Sequence, residues 1–178
     1  MCAPLDCSGG VFTLARGWYN IGVKKIIFSD YEGTILARDG STAKNAQAID
    51  RWRAAGKKFV IATGQGFAAP NEVLVQFDYI ITDGGREIRD ANWELLYQEA
   101  IGARASKTKA IEVVLAREQI TPDDAVTIGD GPNDVEMIEK YDGYAIHGTF
   151  ADEMTNDKTA KSVAMMIDEL LELAERNP

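Results

Sequence analysis

Short apolar runs rich in β-branched residues recur along the chain: VKKIIFS (23–29), KKFVIAT (57–63), DYIIT (78–82), AVTIG (125–129) and GYAIH (143–147). Each is bounded by glycine or polar residues, the pattern of a buried strand. Between them lie segments of helical period. Thr42 to Ala55 carries Ala46, Ile49, Trp52 and Arg53 at helical spacing and stops at Gly56. Ala68 to Gln76 predicts a short helix, and Ser106 to Gln119 a strong one with Ile111, Val114 and Leu115 on one face. Two more are expected at Asn133 to Lys140 and Ser162 to Glu175. REIRDANWELLY (86–97) has two short runs about Asp90-Ala91-Asn92, which predicts a β-hairpin. Strands alternating with helices predict a doubly wound parallel α/β sheet. Residues 1–22 lack any such period and contain the joint Ser8-Gly9-Gly10; Val11 to Trp18 is at most one short added element. The expected organisation is an N-terminal extension, 1–22, followed by one domain, 23–178.

In sheets of this kind ligands bind beyond the carboxyl ends of the strands. The first strand delivers Asp30 and Glu32 there, the second Thr63 followed by Gly64, the third Asp83 before Gly84-Gly85, and the fourth Asp130 with Asn133 and Asp134 just after. Lys107 opens the helix that precedes the fourth strand, with Lys109 as its near rival. Several carboxylates in one crevice repel unless a cation neutralises them, and an all-oxygen set suits Mg²⁺. Thr63 and Lys107 add a hydroxyl and an ammonium, suited to phosphoryl oxygens, and glycines let backbone N–H groups approach an anion. Taken singly, each piece has an ordinary explanation: a turn-forming Asp or Asn, a Thr-Gly turn, a surface lysine. Their joint occurrence at matching strand ends points to phosphoryl transfer.

The net charge of −9 and pI of about 4.7 argue against nucleic acid or an anionic membrane as a partner. Cys2, Cys7 and the single His147 make a poor zinc set. No stretch is apolar enough to span a membrane, and MCAPLDCSGGV lacks the charged start and apolar block of a signal peptide, so the expected location is cytoplasmic.

Four motifs in order, Asp30-Tyr31-Glu32-Gly33-Thr34, Thr63 in IATGQG, Lys107 in SKTKAI, and Gly129 to Asp134 in GDGPND, resemble the haloacid dehalogenase superfamily, within it the sugar-phosphatase branch often called Cof-like. The resemblance runs from about Val23 to the C-terminus. It implies that Asp30 attacks phosphorus to form an aspartyl phosphate, and that the carboxylate at position 32 protonates the leaving oxygen and then activates water. It further implies that Thr63, Gly64, Lys107 and Asn133 hold the phosphoryl group. Mg²⁺ would be bound by Asp30, the backbone carbonyl of Glu32, Asp130 and Asp134.

The sequence departs from that family at several points. Its second motif-one carboxylate is usually Asp; Glu32 adds a methylene, which predicts a slowed or reshaped enzyme, with a metal- and phosphate-binding protein acting through a partner as the alternative. Gln65 stands where Arg is usual and Asp83 where Asn is usual, making the pocket less positive. Only about two dozen residues separate Asp83 from Lys107, and Thr34 to Ala43 is short as well, so the resemblance implies a capless member with an open site. Such members act on bulky substrates or assemble so that a neighbour covers the site. A homo-oligomer is therefore expected, with Ile88, Trp93, Leu95 and Leu96 of the hairpin as its contact; their competing role is to cover the sheet edge. A phospho-acceptor receiver domain fits less well, because there the phosphorylated Asp follows the third strand. His147 ends the fifth strand and is expected to make only local hydrogen bonds.

Overall fold

A computed structural model of the chain describes residues 23–37, 40–100, 102–155 and 158–176. The element expected within Val11 to Trp18 lies outside them. The eight strands are β1 (Ile26–Ser29), β2 (Lys58–Ala62), β3 (Tyr79–Thr82), β4 (Glu87–Asp90), β5 (Leu95–Gln98), β6 (Ala125–Gly129), β7 (Tyr144–Ile146) and β8 (Lys158–Ala160). They form one sheet in the order β5-β4-β3-β2-β1-β6-β7-β8. Every pairing from β3 to β8 is parallel, and β4 and β5 extend the same sheet antiparallel. The five helices are α1 (Thr42–Ala54), α2 (Lys107–Glu118), α3 (Val135–Lys140), α4 (Phe150–Met154) and α5 (Val163–Arg176). The α/β sheet is thus as the strand–helix alternation predicts.

The strands are apolar on both sides because both faces are covered. Ile27, Phe59 and Ile61 face a core with Ile49 and Trp52 of α1 and Val163 and Ile167 of α5. Ile26, Phe28, Val60 and Ala62 face the other way, onto Ala110, Ile111 and Val114 of α2 and Met137 of α3. Successive residues of one strand thus feed two cores. In α1 the buried face is Asn45, Ala48, Ile49 and Trp52 rather than one including Ala46 and Arg53. Trp52 is fully buried, and its indole N–H donates to the Lys58 carbonyl at 2.8 Å, which ties the helix to the start of β2.

One local expectation is corrected, and two short elements are added. The helix predicted from Ala68 to Gln76 is a single 3-10 turn at Pro70–Glu72. Beyond it Val75 and Phe77 are buried while Leu74 and Gln76 are exposed, and this period of two holds the segment extended. The short elements α4 and β8 were not expected; neither has enough residues to show a period. The hairpin forms, its turn held by the Asp90 carboxylate, which accepts from the N–H groups of Asn92 and Glu94 at 2.9 Å each. Its apolar residues mostly serve this subunit. Ile88 is buried in the α2 core, Leu96 packs against that core, and Trp93 meets Phe77 edge-on at 6.5 Å. Leu95 alone of the four is exposed, at 43%. No helix of the described residues is long and apolar enough to cross a membrane.

Candidate active site

The sheet edge at the carboxyl ends of β1, β2 and β6 gathers the residues singled out in the sequence. Asp30 leaves β1 with its N–H bonded to the Ile128 carbonyl of β6 at 2.9 Å. Tyr31 then turns into the core. Its ring meets Phe67 edge-on at 5.4 Å, and its hydroxyl accepts the Leu74 N–H at 2.9 Å. With Tyr31 anchored, the carboxylates on either side of it stay at the sheet edge.

Lys107 joins two of the acids. Its ammonium donates to Asp30 Oδ1 at 2.6 Å and to Asp134 Oδ1 at 2.7 Å, all three side chains buried. Ser106 positions it: this residue caps α2 in extended backbone and accepts the Lys109 N–H at 3.3 Å. Lys107 is therefore the first helical residue and points into the site, while Lys109 is exposed. Beneath it runs Gly85, at φ +106°, where a Cβ would stand 2.2 Å from the Ser106 carbonyl oxygen. The close approach of strand-end turn and helix start requires glycine there.

Asp134 is the most enclosed acid. Its Oδ2 accepts the N–H groups of Asp130 at 3.2 Å and Gly131 at 3.0 Å. This use of the side chain holds the 130–134 loop in a tight curl and delays α3 to Val135, two residues after the predicted start. Asp130 is half-buried, and its Oδ1 accepts the Thr34 hydroxyl at 3.0 Å. Gly33, at φ +82°, passes so near that a Cβ would lie 2.2 Å from Asp130 Oδ2.

Burial pushes the Asp30 carboxyl up to about 7 from its ordinary 3.8; the Lys107 ammonium opposes the rise, and Asp134 and Asp130 add to it. Burial pulls Lys107 the other way, but Asp134 and Asp30 outweigh it and raise its pKa, so the ammonium stays charged. Among the described residues Asp30, Asp130 and Asp134 form a group of carboxylates with oxygens within 4.8 Å of one another. Lys107 pairs with two of these acids, Asp30 and Asp134. Hard oxygen donors in such a group fit a divalent cation such as Mg²⁺. The Glu32 carboxylate is not in this group. It crosses to β2, where Oε2 accepts the Thr63 hydroxyl at 2.8 Å, and Thr63 Oγ1 in turn accepts the Gln65 N–H at 3.0 Å.

Gly64 and Asn133 face each other at the mouth: a Cβ on Gly64 would stand 3.7 Å from Asn133 Nδ2, and both are exposed. Asp83 takes left-handed backbone (φ 50°) with its N–H on the Gln65 carbonyl at 2.9 Å. His147 is exposed, 3.2 Å from Asp152 Oδ2, beside a groove of about 600 Å³ that holds none of the three clustered carboxylates. Two residues the sequence reading gave no role complete the site. Thr34 orients Asp130. Asn45, buried in α1, donates to the carbonyls of Thr34 at 3.3 Å and Ile35 at 3.0 Å and accepts the Ala164 N–H at 3.0 Å. A polar residue within the apolar period of α1 was its signal.

Residues 12–142 match the family model for haloacid dehalogenase-like hydrolases. No curated protein matches the chain. Several solved structures share the fold. A phosphatase of the haloalkanoate (HAD) enzyme superfamily from Bacteroides thetaiotaomicron superposes with a TM-score of 0.74 at 14% identity, over 93% of this chain and 99% of its own. A HAD subclass IIB sugar phosphatase gives 0.68 at 13%, over 85% and 99%. The sucrose-phosphatase of Synechocystis sp. PCC6803 gives 0.65 at 13%, over 85% and 98%.

Proposed function

The chain belongs to the haloacid dehalogenase-like hydrolase family, and from that premise we propose that it is a Mg²⁺-dependent phosphatase of small phosphomonoesters, sugar phosphates among them. The observation that carries this reading is the Lys107 ammonium set between Asp30 and Asp134 beside Asp130. A nucleophilic carboxylate, a cation and a metal-fitting group stand on one sheet edge.

The metal would be held by Asp30, Asp130 and Asp134 with the Glu32 backbone carbonyl, and would neutralise charge on the transferring phosphoryl group. Asp30 attacks phosphorus; its carboxylate oxygen bonds to phosphorus as the bond to the leaving oxygen breaks. Glu32, as the acid, gives that oxygen its proton and releases the alcohol. Its carboxylate then takes a proton from water, the hydroxyl attacks phosphorus, and the bond to Asp30 breaks to free inorganic phosphate. Lys107, Thr63, the Gly64 N–H and Asn133 hold the phosphoryl oxygens. Among the described residues the connections on either side of the site are short, and the site is taken as capless. Copies of the chain that shade one another's sites complete this reading; a monomer by light scattering at working concentration would remove that part.

Phosphate release from a phosphomonoester panel, with Mg²⁺ and with EDTA, tests the reaction. Release that requires Mg²⁺ and disappears in Asp30→Asn is the expected result. Silence from wild type and from Glu32→Asp alike would reject it in favour of a protein that binds metal and phosphate without turnover.

A further inference from the structure

We propose that Glu32 competes with the substrate for Thr63: in the resting site its carboxylate holds the one hydroxyl proton that a phosphoryl oxygen needs. The inference rests on the phosphatase reading and specifies how that site admits its ligand.

A threonine hydroxyl has one proton to give and two lone pairs to receive with. Thr63 gives its proton to Glu32 Oε2 at 2.8 Å and receives the Gln65 N–H at 3.0 Å. What remains is a single lone pair. A phosphoryl dianion offers only acceptors, so it gains nothing from Thr63 until Glu32 lets go. Thr63 is fully buried, which fixes its hydroxyl between these two partners. No second proton can be recruited by turning it.

Length makes the contact possible. Glu32 springs from the turn after β1, and Thr63 stands at the end of β2, the neighbouring strand. One methylene fewer would draw the carboxylate back by about 1.5 Å. A 2.8 Å hydrogen bond stretched by that much is lost. An aspartate at position 32 would keep the negative charge at this edge and free the Thr63 proton. The glutamate therefore makes phosphoryl binding a displacement. Thr63 contributes less to affinity than its place in the site suggests, and product phosphate leaves more readily.

Because Glu32→Asp conserves charge, it separates reach from electrostatics. The experiment is a double-mutant cycle on the intact chain: binding of inorganic phosphate in Mg²⁺ buffer, by isothermal titration calorimetry, to wild type, Glu32→Asp, Thr63→Val and the double variant. Glu32→Ala, alone and with Thr63→Val, repeats the cycle without a carboxylate. The expected result is that Glu32→Asp binds phosphate about tenfold more tightly, the scale of one charge-assisted hydrogen bond. Thr63→Val then weakens binding about tenfold in the Asp and Ala backgrounds and less than about twofold in the wild type. Equal weakening by Thr63→Val in every background, with Glu32→Asp unchanged from wild type, would overturn the competition and leave the phosphoryl site standing. Absence of phosphate binding in every variant would overturn both.

Discussion

The Lys107 ammonium lies 2.6 Å from Asp30 Oδ1, although the two residues are 77 positions apart and one opens a helix while the other ends a strand. Fold and site meet in this contact. The same ammonium also reaches Asp134, so a single buried cation balances two buried acids.

Removing that cation leaves the acids buried and uncompensated. Lys107→Met is expected to destabilise the metal-free protein by about 3–5 kcal/mol at pH 8, the range for breaking a buried ion pair from one side. Lys109→Met, on the exposed side of the same turn, should stay within about 0.5 kcal/mol. Urea titrations of both variants in EDTA compare them directly. Mg²⁺ should restore part of the Lys107→Met loss, because a ligand that binds only the folded state raises its stability by mass action.

Asp30 gives the stability a pH dependence of definite sign. Its carboxyl titrates at about 7 in the fold against an ordinary 3.8, because burial disfavours the charge. Between those values the folded state holds a proton that the unfolded state has released. Stability from this group is therefore fully present below pH about 4 and is lost as pH rises through about 7. Asp30→Asn has no such proton. The difference in urea midpoint between Asp30→Asn and wild type, in EDTA, should widen in favour of the variant from pH 4.5 to pH 7.5. A constant difference would show that Asp30 ionises normally.

Much of this was legible in the sequence because the sheet is buried on both faces. IIFS, KFVIA and AVTIG announce strands by composition alone, and each strand end then offers its polar residue to one edge. Lys109 stayed a rival to Lys107 on spacing alone; the Ser106 cap, which makes Lys107 the first helical residue, separates them only in the structure. What was hidden depends on distance rather than order. Val75 and Phe77 are buried while Leu74 and Gln76 are exposed, a period of two that the helix expected over 68–76 did not take into account. The hairpin's hydrophobics suggested a contact between copies, but Ile88, Trp93 and Leu96 are used inside the subunit. The partner of Glu32 was also invisible, since the motif places its backbone and not the end of its side chain.

Asn45 links the acid loop to the rest of the protein. It holds the carbonyls of Thr34 and Ile35 from one side and the Ala164 N–H from the other. Asn45→Ala strands two buried carbonyls and a partly buried N–H between α1, the loop and α5. The expected loss is about 2–4 kcal/mol by denaturant unfolding, given about 1–3 kcal/mol for each buried group left unpaired and partial relaxation. Asn45→Asp keeps an acceptor for Ala164 but buries a charge and removes both donations, so it should be no better. Phosphate release should fall with either variant in conditions where the protein is still folded, because Thr34 would no longer be fixed against Asp130.

Gly33 offers the sharpest separation of site from scaffold. It has φ +82° and would place a Cβ 2.2 Å from Asp130 Oδ2. Gly148 has φ +76° and nothing within 4 Å of the same added atom. Alanine at either position carries the same left-handed backbone penalty, about 1–2 kcal/mol. Only at position 33 must it also push a carboxylate aside. Gly33→Ala and Gly148→Ala should therefore lose similar stability by thermal or urea unfolding in EDTA, with Gly33→Ala somewhat lower. Mg²⁺ affinity, read by calorimetry, should divide them: near wild type in Gly148→Ala, weakened at least about tenfold in Gly33→Ala, where the displaced Asp130 no longer meets Asp30 and Asp134. Equal Mg²⁺ affinity in the two variants would mean that Asp130 is not a ligand.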